Sequence, residues 1–436
     1  MNRYNFLTTI SAVALTVAIA VCRASADDWP QFRGPNRDGV SAEKGLLQKW
    51  PDGGPPKMWT SSGLGLGDSS VAVANRTIFG TGKLGDKLSL WALDEATGKP
   101  KWSTPMSDEK DVKAVEMNST PTFANGKVYA VSGLGDLVCA DADSGRILWR
   151  KSYVNDFGGM PPGFGGYSDS VLVDEGKVIC VPGSKAAAIV ALKAETGEVI
   201  WKTEMTDSRP GNVYSSAVTT GVGGVPLYIA LLSRGQGGLT AVHAETGTLL
   251  WQYENKLCRA YPIPMPLVKG DWVFATTDMG WAVLKMAAAG KDKVTVQELK
   301  RYGGTELGCY YGGMVLANDF IYFAHYQRPG GCPPVCVGAK SWEIKWKADQ
   351  MKWLDPEGKR DLESASIIYA DGMLYYQYES GLLALVRADP NRFALVSTFN
   401  LKTSRAKRST PAIANGKLYI HDHDRLYCFN IKAEGK

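Results

Sequence analysis

One phrase, repeated four times at intervals of about 50 residues, constrains this chain more than any other feature. It runs from Ala92 through Asp94 and Thr97-Gly98 to Trp102, and from Cys139 through Asp141 and Ser144-Gly145 to Trp149. It returns from Ala191 through Lys193 and Thr196-Gly197 to Trp201, and from Ala241 through His243 and Thr246-Gly247 to Trp251. Each copy reads as strand, tight turn, strand. The Thr-Gly or Ser-Gly pair supplies a turn in which glycine takes a positive φ without steric cost. The alternation that follows places a large aromatic on the second strand. Length alone suggests two or three domains, but a unit recurring at this period buries its apolar face against its neighbours and makes a single repeat architecture.

A second unit precedes each phrase. Ser119-Thr120-Pro121 leading to Asn125-Gly126-Lys127 returns as Ser409-Thr410-Pro411 leading to Asn415-Gly416-Lys417. Asn-Gly between two alternating apolar runs is a strong hairpin signal. Weaker copies stand at Asn75-Arg76, Glu175-Gly176, Gly270-Asp271, Asn318-Asp319 and Asp371-Gly372, and the hairpin spanning Gly221 to Pro226 completes eight. Helical periodicity is scarcely visible, and a β-sandwich array does not explain four strands per unit. The expected fold is all-β, an eight-bladed β-propeller of four-stranded antiparallel blades. The last unit stops after Asn430 without an outer strand, whereas Lys57-Met58-Trp59-Thr60 has no turn phrase of its own. That N-terminal strand is expected to complete blade eight and close the ring, which removes an open sheet edge.

The first residues set the compartment. Arg3 is a basic start, Leu7 to Val21 is apolar, and Ala24-Ser25-Ala26 fits a signal-peptidase site. The apolar run is too short to span a bilayer, and Val21 is too bulky to make Cys22 a lipobox cysteine. We expect a signal peptide (1–26), an N-terminal arm (27–55) and a propeller (56–432), exported to the periplasm or cell envelope and not transmembrane. Arg33 and Arg37 are read as packing the arm on the propeller, and loss of residues 27–45 is expected to be far milder than loss of 27–60. A net charge of +5 over 436 residues, with one dense basic run at Arg405 to Arg408, excludes a nucleic-acid binder with a basic face. Cleavage removes Cys22 and leaves an odd number of cysteines. Cys139, Cys180 and Cys428 lie in strand-like runs and read as core residues. Cys332 and Cys336 flank Pro-Pro in a Gly-rich loop and are the pair an export compartment would oxidise. Without a second pair or a nearby histidine they do not make a zinc motif.

The Ala-x-Asp-x-x-Thr-Gly-x-x-x-Trp phrase resembles the repeat of the pyrroloquinoline-quinone-like (PQQ-like) propeller family of secreted bacterial proteins. The resemblance covers residues 56 to 432 and is strong in blades one to four and eight. In blades five to seven neither Thr-Gly nor the terminal tryptophan is kept. The stretch Trp29 to Gly39 is similar to the opening of other members. The family has two branches. Resemblance to quinoprotein dehydrogenases implies a quinone on the axis, between a tryptophan and a ring made by adjacent cysteines, with calcium and a catalytic aspartate. This sequence has no Cys-Cys pair, no calcium-ligand set maps onto it, and it is short for that branch. The other branch is similar to the outer-membrane assembly scaffold lipoprotein, which binds partners and no cofactor, and matches better in length and blade count. The expectation is a non-catalytic binding or scaffolding module with no cofactor and no metal. The alternative is a quinone-dependent dehydrogenase oxidising an alcohol or sugar with PQQ and calcium. Fold does not decide between them.

Aligning the units on the hairpin places one position just ahead of each innermost strand, around one mouth of the axial channel. There stand Tyr167, Tyr214, Tyr261 and Tyr310, with Glu363 and Arg408 beyond and Arg259 within reach. A ring of tyrosines with charges opposite reads as a funnel for a protein segment or small-molecule ligand; the competing reading is that tyrosine fills a wide channel. Among the histidines, His243 takes the place of Asp94 and Asp141 and reads as a turn residue. His421 and His423 alternate on a strand, a spacing compatible with a metal, but they fall where other units turn. His325 stands alone. Gly63, Gly65 and Gly67 resemble a phosphate loop only superficially, because no helix follows.

Overall fold

The computed structural model describes residues 28–107, 116–205, 214–233, 238–253, 257, 262–326, 331–348, 364–401 and 408–433. They form eight antiparallel sheets in sequence order, at 72–105, 122–152, 172–203, 218–253, 267–303, 315–347, 365–400 and 412–430. Each runs from an innermost strand outward, so the Asn-Gly hairpins and the Thr-Gly turns share one face of the disc. The loops leading into the innermost strands share the other. The expected eight-bladed, four-stranded propeller is the fold.

The repeat residues explain why the blades stack. In each turn phrase the turn after the third strand holds a glycine at positive φ, 69° at Gly98 and 73° at Gly197. The bare Cα lets the outer-strand tryptophan of the preceding blade lie flat on it. A Cβ on Gly98 would fall 2.5 Å from the Trp59 ring, and one on Gly247 would fall 2.4 Å from Trp201. Indole N–H groups donate across the seam, from Trp102 to the Ala142 carbonyl at 3.0 Å and from Trp149 to Ala194 at 2.9 Å. The lysine after the Asn-Gly hairpin reaches the acidic residue of the next turn phrase: Lys127 meets Glu195 and Lys177 meets Glu245, each at 2.9 Å. Nearer the axis, a hydroxyl residue two positions ahead of the innermost strand links neighbours in blades eight and one to four through backbone N–H and hydroxyl. Thr410 donates to Ser70 at 2.7 Å, Thr120 to Ser170 at 2.9 Å and Ser170 to Ser216 at 2.8 Å. Each motif thus bonds one blade to the next.

The N-terminal segment does more than the sequence suggests. β1 (Val40–Ser41) pairs in parallel with the innermost strand of blade seven (Ala365–Ala370), giving that sheet a fifth strand. β2 (Lys57–Ser62) pairs with Arg425–Asn430 and completes blade eight, with Trp59 opposite Cys428. The arm before β1 is buried rather than loosely attached. Trp29 belongs to the core shared with blades one, seven and eight, and Arg33 and Arg37 are buried, so the expectation that losing residues 27–45 would be mild does not fit the packing.

Two further readings are corrected. Blade six does keep its outer tryptophan: Trp346 pairs with Cys336 as Trp149 pairs with Cys139, and its N–H donates to Asp389 of blade seven at 2.9 Å. Trp342 stands in the turn where other blades have glycine, at φ 57°. Cys332 and Cys336 are not joined as a disulfide. Both are buried thiols, and Cys336 sits in a strand between Tyr322 and Trp346. The same Tyr-Cys-Trp ladder recurs as Tyr129-Cys139-Trp149 and Tyr419-Cys428-Trp59. Burial pushes the Cys139 and Cys336 thiols up to about 12, as expected of small core residues.

Candidate functional site

The loop face carries a cavity on the axis, with about 120 Å³ open to water-sized molecules. Its wall is the ring of residues just ahead of the innermost strands: Asp68, Asn118, Ser168, Tyr214, Ile263, Tyr311 and Arg408. The arm makes the floor. Phe32 and Arg33 reach the cavity from below, and the Arg33 guanidinium donates to the carbonyls of Asp38 at 3.2 Å, Gly312 and Ile367 at 3.3 Å each, and Met314. Arg37 donates to Ser170 at 2.6 Å and Val171 at 3.2 Å. Apart from Asp38 of the arm itself, these carbonyls lie where the inner strands converge, and the two guanidiniums donate to them, with the Thr122 hydroxyl also donating to Val171 at 2.6 Å. Burial lowers their pKa, to about 10 for Arg33 and about 9 for Arg37; both are charged at neutral pH.

The roof comes from the connection between blades two and three. Phe164 is 57% exposed in a Gly- and Pro-rich stretch, and the Arg408 guanidinium lies 5.7 Å from its ring centroid. The Tyr214 hydroxyl donates to the Phe164 carbonyl at 3.0 Å, and the Asn118 amide to the Gly165 carbonyl at 3.3 Å. Arg408 also faces Glu379 at 3.2 Å and Asp68 at 3.8 Å. Burial opposes its charge, but the two carboxylates outweigh burial and hold its pKa above the ordinary value. The Asp68 carboxyl is pushed up by burial, against the pull of His423 at 3.8 Å. Burial, with Glu379 beside it, also pushes the Tyr311 hydroxyl well above the usual range. The site is a blind socket with aromatic walls and a charged rim. Such a socket can hold a side chain or chain end. Among the described residues that line it, no nucleophile–base pair is formed.

The structure places the expected residues unevenly. Tyr214 and Arg408 line the socket. Tyr167 does not: it is buried in blade three, edge-on to Tyr153 at 5.0 Å, and donates to the Pro182 carbonyl at 3.2 Å. The register puts Ser168 on the wall instead. Tyr310 stacks on Tyr326 at 5.0 Å, and its neighbour Tyr311 faces the socket. Arg259, Tyr261 and Glu363 lie outside the described residues. Sequence reasoning missed Phe164, although Gly158 to Gly166 signalled a loop of unusual path. It also missed the acidic rim, because Asp68 and Glu379 lie far apart in the chain.

The histidines do not form a metal site. His421 ends a strand, buried against Trp91 and beside the Ser69 carbonyl at 2.7 Å, while His423 sits in the turn at φ 53° facing Asp68. Among the described residues no group of three His, Cys, Asp or Glu side chains converges to hold a metal. His243 holds its turn, accepting from the Glu245 N–H at 3.1 Å. Gly65 and Leu66 pair against Lys83 in blade one rather than forming an anion cradle.

With fold and site in view, comparison with known proteins places the chain. The family model described as outer membrane protein assembly factor BamB matches residues 86–348, more than half of the chain, which therefore belongs to that family. Outer membrane protein assembly factor BamB of Burkholderia pseudomallei is 30% identical over 166 residues, 37% of this chain and 40% of that one. Its counterpart in Kangiella koreensis is 26% identical over 225 residues, half of each chain. Quinohemoprotein alcohol dehydrogenase ADH IIB of Pseudomonas putida is 27% identical over 151 residues, 31% of this chain and 20% of the enzyme. The chain aligns with no more than half the length of these relatives. Among solved structures, Moraxella catarrhalis BamB superposes with a TM-score of 0.57, covering 86% of this chain and 99% of its own. The quinohemoprotein alcohol dehydrogenase of Comamonas testosteroni superposes with 0.68, covering 96% and 82%. Both are 12% identical to this chain and speak to the fold alone. No helix among the described residues is long and apolar enough to cross a membrane.

Proposed function

We propose that this protein is an exported, non-catalytic scaffold of the cell envelope that takes part in outer-membrane protein assembly and holds a segment of a partner protein in the axial socket. The observation that carries the reading is the floor of that socket. Phe32 of the arm, and Arg33, which is tied to blades six and seven, close the cavity from below, which supports reading it as a blind holding site. The signal peptide read at residues 1–26, outside the described residues, fits that compartment. Tyr214, Tyr311 and Phe164 give a partner side chain rigid apolar walls, and Arg408 with Asp68 orients it.

The dehydrogenase alternative is supported by the Pseudomonas putida relative, but the residues present do not fit its cofactor pair. The sequence offers no adjacent cysteines, and the two carboxylates at the mouth are engaged by Arg408 rather than gathered as a calcium cradle. The test pairs two measurements. Loss of the gene should lower the amount of β-barrel protein in the outer membrane, with Tyr214→Ala plus Arg408→Ala reproducing much of that loss at normal thermal stability. The purified protein mixed with PQQ and calcium should show no dye-linked alcohol oxidation. Calcium-dependent turnover with normal outer-membrane content would overturn the proposal.

A further inference from the structure

The hairpin face of the channel holds a second cavity of about 390 Å³, separated from the socket by the arm. Gln31 and the turn from Pro35 to Asp38 form one side. The other sides are the innermost strand of blade three (Leu172–Asp174) and the matching strands of blades four and five, through Val218, Thr219, Leu267 and Val268.

The repeat shows what these strands offer. In blade one, Val73 pairs with Ile78, which pairs with Leu93. The same three-strand register marks Phe123 in blade two, Val173 in blade three, Thr219 in blade four, Val268 in blade five and Tyr369 in blade seven. At this position the backbone N–H points away from the blade and into the channel. The arm uses it three times. Val73 donates to the Trp29 carbonyl at 2.8 Å and accepts from its N–H at 2.8 Å. Phe123 donates to Pro30 at 2.7 Å, and Tyr369 to Gly39 at 2.8 Å. Val173, Thr219 and Val268 occupy the equivalent position in three consecutive blades, all three line the cavity, and no described segment pairs with them as the arm does.

We infer that this cavity is a docking site for an extended segment of a partner protein, which adds to the inner edges of blades three to five as the arm adds to blades one, two and seven. The recognition is by main chain. Carbonyl oxygens of the segment accept from the outward N–H groups, and alternate side chains face the apolar surface of Leu172, Val218 and Leu267. The volume suits roughly three extended residues. The site lies on the opposite side of the arm from the socket and stands independently of the function proposed for it.

Proline gives a sharp test, because at an edge position whose N–H faces outward it deletes the donor without breaking the ladder. Fluorescence anisotropy with a labelled decapeptide of alternating valine and threonine should show saturable one-to-one binding. Thr219→Pro should weaken it at least about ten-fold, while Thr219→Val, which keeps the N–H, should stay within about two-fold. Should the proline variant fail to fold, amide hydrogen exchange of the unaltered protein decides: the Val173, Thr219 and Val268 amides should exchange several-fold more slowly with peptide present. Phe164→Ala, on the other mouth, should leave the affinity unchanged. No binding at millimolar peptide, equal binding by Thr219→Pro, or unchanged exchange at those amides would overturn the inference. So would a dimer of this chain that Thr219→Pro dissolves, which would assign the edges to a second copy.

Discussion

Blades eight and one to four hold together differently from blades five to seven. In the first group the contacts are written into the repeat: tryptophan on a bare glycine, lysine to an acidic turn residue, backbone N–H to a hydroxyl of the next blade. In the second group most of these are gone. Met265 and Gly313 stand where Ser70, Thr120, Ser170 and Ser216 carry hydroxyls in the first group. Aromatic pairs and the arm take over. Trp272 lies edge-on to Trp342 at 5.9 Å, and Trp50 packs against Tyr375 and Phe399 of blade seven at 5.9 and 5.0 Å. Arg33 ties blade six to blade seven, and β1 lengthens blade seven. The arm is fastened most heavily where the repeat is weakest. A degenerate repeat can survive in a closed ring when a non-repeating segment supplies the lost contacts.

That contrast can be broken at the arm. Arg33→Ala takes the guanidinium donor from the buried carbonyls of Gly312, Met314 and Ile367, each worth about 1–3 kcal/mol. A loss of about 3–5 kcal/mol is expected in chemical unfolding, with exchange accelerated first in blades six and seven. Faster exchange confined to blades one to four would contradict the division of labour. In the regular half, Trp201→Ala removes a buried ring from a seam that has no arm to help, and about 3 kcal/mol should be lost. The half-buried Trp346→Ala should lose less than Trp201→Ala; the reverse order would mean that the degenerate seam also rests on its tryptophan.

Two buried groups, both within blades eight and one to four, give opposite pH responses. His421, beside blade one, is lowered by burial to about 4 from 6.5. Its folded state resists the proton, so its contribution is complete above pH 6.5 and lost as pH falls toward 4. Asp169 in blade three, next to Arg37 of the arm, is raised by burial to about 7 from 3.8, although the Tyr153 hydroxyl donates to it at 2.8 Å. A raised carboxyl binds its proton more tightly when folded, so stability falls as pH rises from about 4 to 7. Thermal scans of Asp169→Asn should show a flatter decline from pH 5 to 8 than the parent, and His421→Gln a flatter decline from pH 6.5 to 4. Parallel profiles for parent and variants would dismiss both groups. The smallest effect belongs to the exposed end of a seam. Lys127→Met removes an ion pair whose Glu195 is 71% exposed and should change stability by less than about 1 kcal/mol.

Much of this molecule was legible in its residues. The turn phrase and the Asn-Gly hairpins carry their own φ/ψ and period-two requirements, and a unit that cannot bury its face alone must stack. The missing outer strand after Asn430 and the surplus one at Trp59 therefore determined the closure from sequence. The site was only partly legible. Counting from the hairpin put Tyr214 and Arg408 on the axis, yet a shift of one residue turns a strand neighbour to the other face. Tyr167 therefore went into the core while Ser168 faced the channel, and Tyr311 rather than Tyr310 reached the socket. Tertiary structure alone decided the rest. Arg33 and Arg37 have no periodic signal, and most of their partners are carbonyls that lie where the inner strands converge, an arrangement that exists only once the ring has closed. The outward N–H groups of Val173, Thr219 and Val268, with which no described segment pairs, arise the same way. Local sequence sets which way a backbone group points, but whether another segment reaches it depends on the path of a non-repeating arm across the channel.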